Sequence, residues 1–174
     1  MKVVAIIVQS VDGLLTRRSD ERVYRWTSQE DKKHVRETTA AATLIVLGSA
    51  TYEAFKQYLK PTSTTLRIIL TTRPDSYKDA VVPGKLEFSN QTPQELVEMY
   101  EKKGHKELLL LGGPKIYSSF LKAGLLHELQ ITIEPLLFGS GKALIETSED
   151  VELELTSMEK LNERGTLLLK YKVL

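Results

Sequence analysis

A chain of 174 residues, 41% of them hydrophobic, has the size and apolar content of a single soluble domain with its own core. A net charge of +1 gives no argument for nucleic acid or an anionic membrane surface as a partner, and the lack of cysteine excludes disulfides, zinc–thiolate centres and cysteine nucleophiles. His34, His105 and His127 are scattered without ligand spacing, so no metal site is expected.

The first ten residues, MKVVAIIVQS, are apolar but lack a small-residue cleavage site, and read as a strand rather than a signal peptide. Within them Val3–Val8 is a β-branched run suited to burial on both faces. A long polar loop, Ser10–Arg25, follows, and loops of that length are usually functional or mobile. Thr27 and Glu30 have capping-box spacing and predict a helix to about Ala42. Leu44–Leu47 is a buried strand closed by Gly48, and Ser49 can cap a helix carrying Tyr52, Phe55 and Leu59 on one face. Leu66–Leu70 is a third strand, ending in Thr71-Thr72-Arg73-Pro74, and Lys85–Phe88 is a short fourth. Thr92-Pro93-Gln94-Glu95 is a helix start, with a cap, a proline in the first turn and a glutamate at the third position. Glu107–Leu111 is another strand. Gly112-Gly113-Pro114 then opens a helix with Ile116, Tyr117, Phe120 and Leu121, which Gly124 should end. Glu128–Ile133, Val151–Glu159 and Gly165–Val173 read as antiparallel strands.

This order predicts one α/β domain over residues 1–174, with a mostly parallel central sheet and antiparallel strands at its C-terminal end. No segment has the roughly 20 apolar residues needed to span a bilayer, and a cytoplasmic setting is expected. Ligands of such sheets sit at the carboxyl ends of the strands, where Gly48, Thr71–Arg73 and Gly112–Gly113 fall. Glycine lets backbone approach a ligand, and a helix start offers it free N–H groups. Arg73 could pair with a 2′-phosphate; alone, it could equally be a solvated surface charge. Asp31 shares an inward helical stripe with Val35, Thr39 and Ala42, opposite Gln29, Lys32, Lys33, Arg36 and Glu37. It either complements the helix N-terminus or hydrogen-bonds the amidine-like edge of a pterin or pyrimidine. Trp26, the only tryptophan, is either a core aromatic or part of a loop that closes over the ligand.

These residues resemble the dihydrofolate reductase-like superfamily, which includes dihydrofolate reductase and the riboflavin-pathway pyrimidine reductase, over Val3 to about Ile145. Trp26, Asp31 and Thr39 resemble the dihydrofolate reductase spacing of loop tryptophan, acid and helix threonine. Gly48-Ser49-Ala50-Thr51-Tyr52-Glu53, Leu70-Thr71-Thr72-Arg73 and Leu111-Gly112-Gly113-Pro114-Lys115-Ile116-Tyr117 resemble the segments that hold the dinucleotide. Thr132 resembles the threonine that supports the acid. The resemblance further implies that Ile6, Ile7 and Val8 line the pocket beside Asp31, Val35 and Thr39, and that Val8, Leu15 and Thr16 meet the nicotinamide end. The segments Gly124–Leu129 and Ile133–Gly141, together with Ser10–Gly13, are similar to the riboflavin relative. Its Asp-Asp-Pro stretch is replaced here by Glu53-Ala54-Phe55, and the folate-tail arginine by Thr65.

The resemblance implies a three-layer dihydrofolate reductase-like fold and an NADPH-dependent reductase of a C=N bond. Asp31 would be the acid, helped by Thr39 and Thr132, with Trp26 and the Ser10–Arg25 loop closing the site. Dihydrofolate is the first substrate expected. The riboflavin-pathway pyrimidine is the second, with Arg17, Arg18, Arg25 and Lys33 as candidate phosphate partners. A nucleotide-binding domain without catalysis is the third reading. The tail similar to the riboflavin relative suggests a homodimer, while dihydrofolate reductases are commonly monomers.

Overall fold

The computed structural model describes residues 1–145 and 150–174. In chain order it contains β1 (Lys2–Ser10), α1 (Gln29–Ala41), β2 (Leu44–Gly48), α2 (Ser49–Phe55), β3 (Leu66–Leu70), β4 (Leu86–Ser89) and α3 (Pro93–Lys102). Then follow β5 (Glu107–Leu110), α4 (Pro114–Lys122), β6 (Glu128–Glu134), β7 (Leu153–Lys160) and β8 (Leu167–Val173). The strands form one eight-stranded sheet in the order β4-β3-β2-β5-β1-β6-β8-β7. The first six strands run parallel; β8 pairs antiparallel with β6, and β7 antiparallel with β8.

The parallel strands are buried on both faces because helices cover both sides. On one side Val4, Ile6, Ile45, Leu47, Ile69 and Leu109 pack with Val35 of α1, with Ala42 just after it and with Tyr52 of α2. On the other, Val3, Ala5, Ile7, Val46, Leu108 and Leu110 pack with Leu96 and Tyr100 of α3 and Tyr117 and Phe120 of α4. Alternation along β1 thus sends Ile6 and Ile7 to opposite layers.

The capping box at Thr92 and Glu95 forms as read from the sequence. Helix α1 starts one residue later than predicted, because Ser28 and not Thr27 is its N-cap, the Ser28 hydroxyl accepting the Asp31 N–H at 3.1 Å. Gly48, without a side-chain cap, precedes α2, which ends at Phe55 and leaves Leu59 outside it. Short 3-10 turns at Val23–Arg25 and Pro74–Ala80 were not predicted; neither carries a buried residue whose spacing could have marked it. No helix among the described residues is long and apolar enough to cross a membrane.

Candidate active site

The carboxyl ends of β2 and β5 lie side by side. Leu111 N–H donates to the Val46 carbonyl and Gly48 N–H to the Gly112 carbonyl, each at 2.9 Å. Gly112 and Gly113 are joined by a cis peptide bond, and Gly112 has φ +127°, where an L side chain is strained. A Cβ on Gly112 would lie 3.3 Å from Thr51 Oγ1, and one on Gly48 3.0 Å from Ile116 Cγ1. A Cβ at either position would fit only if its neighbour gave way by a few tenths of an ångström. Pro114 occupies the first turn of α4 and Gly113 precedes it without a side-chain cap; the Ile116 N–H donates to the Gly113 carbonyl at 2.9 Å, and no side chain caps the start of this nine-residue helix. Tyr117, buried in α4, donates its hydroxyl to the Ile6 carbonyl at 2.7 Å, tying this corner to β1. That hydroxyl is committed inside the protein, and burial pushes its pKa up.

Around the same edge, Leu70 ends β3 in the core, Thr71 Oγ1 accepts the Arg73 N–H at 3.2 Å, and Thr72 and Arg73 are exposed. Arg73 makes no ion pair among the described residues. Ser49, Ala50, Thr51, Pro114, Lys115 and Ile116 all lie at the starts of α2 and α4. Close-approach glycines, an uncapped helix start and an unpaired arginine along one sheet edge fit an elongated anionic dinucleotide.

Asp31 lies across β1 from this corner. It is 3% exposed, and burial pushes its carboxyl up to about 6, reinforced by the charge of Glu134 and opposed by the Thr132 and Thr27 hydroxyls and by Lys32. Thr132 and Val8 are register partners on β6 and β1, so both face the α1 side with Ile6. Thr132 lies close enough to influence Asp31, yet Thr132 Oγ1 and Asp31 Oδ1 are both buried without a hydrogen bond of good geometry. Trp26 Nε1 is a third such atom. Its ring stands edge-on to Phe138 at 4.9 Å between centroids. Two further unpartnered atoms, His34 Nε2 and Gln130 Oε1, approach each other beneath α1. The other three belong to Trp26, Asp31 and Thr132, the residues expected to carry the chemistry. A polar group buried without a partner costs about 1–3 kcal/mol, so this trio marks a place where a polar ligand would be stabilised.

Several expected roles need correction. Ile7 points into the opposite layer, because neighbours on a strand face opposite ways. Thr39 donates to the Arg36 carbonyl at 3.1 Å within its own helix and is two turns from Asp31; Val35 lies between them, half-buried. Leu15 is a core residue, and the Thr16 hydroxyl is already used, donating to the Arg18 carbonyl and accepting the Lys142 N–H, each at 2.9 Å. The Ser10–Arg25 segment is anchored to residues 136–143 rather than free. Asp12 accepts the N–H groups of Phe138 at 3.2 Å and Gly139 at 2.8 Å, and Leu15 N–H donates to the Lys142 carbonyl at 2.8 Å. These bonds and the Ser10 hydroxyl, the largest contributor, hold the Asp12 carboxyl below its usual range.

Sequence reasoning missed Glu134. It is 3% exposed, lies two residues beyond Thr132 on the same face of β6, and accepts the Ser28 N–H at 2.6 Å and the Thr166 hydroxyl at 2.8 Å. The available signal was period two: a carboxylate in step with an inward threonine. A cleft of about 980 Å³ at the opposite end of the sheet, lined by Lys2, His127, Glu128 and Lys172 among others, has no part in this arrangement.

A model of the RibD C-terminal domain family matches residues 1–167. The uncharacterized protein YwjB of Bacillus subtilis (strain 168) is 25% identical over 170 residues, covering 95% of this chain and 90% of its own. The diaminohydroxyphosphoribosylaminopyrimidine deaminase/5-amino-6-(5-phosphoribosylamino)uracil reductase of Thermotoga maritima superposes with TM-score 0.77 at 15% identity, over 99% of this chain and 56% of that longer one. Dihydrofolate reductase from Enterococcus faecalis, complexed with NADP(H), superposes with TM-score 0.67 at 21% identity, over 99% and 96%. The fold is thus dihydrofolate reductase-like.

Proposed function

Because the chain belongs to the RibD C-terminal domain family, we propose that it is an NADPH-dependent reductase that delivers hydride to a C=N bond of a small planar nitrogen compound, with a riboflavin-pathway aminopyrimidine as its first substrate. The observation that carries this reading is the trio of unpartnered buried polar atoms on Trp26, Asp31 and Thr132, set across β1 from the Gly48–Gly112 corner. A flat ring with an amino group beside an unprotonated ring nitrogen would satisfy the protonated carboxyl of Asp31, the amino group donating to one oxygen and the nitrogen accepting from the other.

NADPH, when bound, supplies the hydride; the protein supplies position and field. Gly112, Gly113 and the start of α4 would hold its pyrophosphate, and Thr71 and Arg73 its phosphate end, with Thr51 packed beside the glycine pair. Asp31 orients the ring and holds a proton for its nitrogen, which a carboxyl titrating near 6 can do close to neutral pH. Trp26, braced on Phe138, excludes water from that side.

Two observations favour the pyrimidine over dihydrofolate. The Thermotoga relative is described as a 5-amino-6-(5-phosphoribosylamino)uracil reductase. Thr65, where a folate-tail arginine would stand, is buried and donates to the Ala42 carbonyl at 2.9 Å. Of the cations expected to meet a substrate phosphate, Arg25 pairs with Asp20 and Lys33 with Glu37, while Arg17 and Arg18 are exposed and make no ion pair among the described residues.

The test is NADPH oxidation with 5-amino-6-(5-phosphoribosylamino)uracil and dihydrofolate side by side. Turnover of the pyrimidine is expected. Turnover of dihydrofolate alone would replace it as substrate, and NADPH binding without turnover of either would leave a nucleotide-binding domain.

A further inference from the structure

Glu134 is a buried carboxylate with no cation beside it: it takes part in no ion pair among the described residues. Two donors satisfy it instead. Oε1 accepts the backbone N–H of Ser28 at 2.6 Å and Oε2 accepts the Thr166 hydroxyl at 2.8 Å. Both carboxyl oxygens are thus occupied, one by a backbone N–H and one by a hydroxyl.

Each donor belongs to a different structural unit. Ser28 is the N-cap of α1, and its own hydroxyl accepts the Asp31 N–H at 3.1 Å. Thr166 precedes β8 and is held by Asn162, whose Nδ2 donates to Thr166 Oγ1 at 3.0 Å and to Glu30 Oε2 at 3.0 Å. One carboxylate at the end of β6 therefore joins the start of α1 to the turn between β7 and β8.

The groups facing Asp31 are Thr132 and Glu134 from β6, Thr27 ahead of α1, and Lys32 on α1. Those facing Glu134 are Ser28 and Thr166, with Glu30 and Asn162 behind them. Two carboxyl groups sharing a buried pocket favour the state in which only one is charged. Each Glu134 oxygen is already taken by a donor, whereas Asp31 Oδ1 has no hydrogen bond of good geometry, so Asp31 is the carboxyl left free to exchange a proton.

We propose that Glu134 is a positioning residue for Asp31: pinned between Ser28 and Thr166, it fixes the start of α1 and sets how readily the Asp31 carboxyl takes up a proton. The proposal rests on the reading that this site reduces a C=N bond. Such a bond takes a hydride at carbon and a proton at nitrogen. Asp31 gives up that proton, becomes a carboxylate, and is reprotonated from water. Glu134 touches neither substrate nor cofactor and acts only through Asp31.

The experiment is a ¹³C-carboxyl NMR titration of the full chain, without substrate or cofactor, for the wild type, Glu134→Gln and Thr166→Val. In the wild type, Asp31 is expected to take up its proton near pH 6. In Glu134→Gln, which keeps an acceptor for Ser28 but no charge, the Asp31 midpoint should fall by about one pH unit. In Thr166→Val, which keeps the charge, it should move much less. An unmoved Asp31 midpoint in Glu134→Gln, or a wild-type Asp31 midpoint at the ordinary value of 3.8, overturns the proposal. The wild-type midpoint decides alone if the variants do not fold. Because no turnover is needed, failure of the reductase assay with the Asp31 shift intact would reject only the reaction, and an unmoved Asp31 in an active enzyme would reject only this role of Glu134.

Discussion

The Tyr117 hydroxyl donates to the carbonyl of Ile6 at 2.7 Å, across 111 residues of sequence and entirely out of solvent. It fastens the helix behind the glycine pair to the strand that borders Asp31. Tyr117→Phe should leave the packing intact and lose this bond, at about 1–2 kcal/mol of stability. NADPH affinity should fall with it, since Gly112 sits against the same ring. Denaturant unfolding and an NADPH titration read the two effects; a variant unchanged in both would remove Tyr117 from the support of this corner.

Gly112 is the position on that corner least able to accept a side chain. Gly112→Ala would place a Cβ at φ +127° and 3.3 Å from Thr51 Oγ1. A destabilisation of about 1–3 kcal/mol is expected from the backbone alone, together with loss of measurable NADPH binding. Calorimetric titration checks this, and an alanine variant binding NADPH as tightly as the wild type would show that the dinucleotide does not approach this backbone.

Asp31 should make stability depend on pH in a specific direction. Its pKa is about 6 in the folded protein against 3.8 as the ordinary value, so between those pH values the folded state binds more protons than the unfolded one. Stability from this group is present below about pH 4 and is lost as pH rises through about 6, the total being about 3 kcal/mol. Asp31→Asn should therefore stabilise the protein at neutral pH by up to that amount and change it little at pH near 4. Urea unfolding at the two pH values measures it. A variant less stable than the wild type at neutral pH would mean that the carboxylate is solvated or paired.

Much of this was legible beforehand, and the exceptions share a cause. Leu44–Leu47, Leu66–Leu70 and the Thr92 capping box could be read locally because β-branched runs and cap spacing are local signals. Asp31 stood out as a carboxylate on an apolar stripe. Ser28 was passed over for Thr27 because both are good caps, and the choice is made by Glu134, 106 residues away. The faces of Ile6 and Ile7 could not be told apart because β1 is apolar on both sides. The Ser10–Arg25 loop reads as functional or mobile from the sequence because its anchors, Gly139 and Lys142, lie more than 110 residues further along the chain.

That anchoring leads to a dynamic prediction. Asp12 alone accepts from Ser10, Phe138 and Gly139. Asp12→Ala should release the loop beside Phe138 and increase hydrogen exchange at residues 138–140, with the core strands unaffected. Loosening Phe138 also loosens the ring it braces, so Trp26 fluorescence should change in the same variant. Unaltered exchange would show that Leu15 and Thr16 suffice to hold the segment.

The most direct test of the whole account is a single-turnover measurement with pre-bound NADPH and the aminopyrimidine, comparing wild type with Asp31→Asn. Nearly equal NADPH binding by both proteins is predicted, with hydride transfer slowed about 10²–10⁴-fold in the variant. Transfer at the wild-type rate in Asp31→Asn would contradict a buried Asp31 acid as the centre of this site.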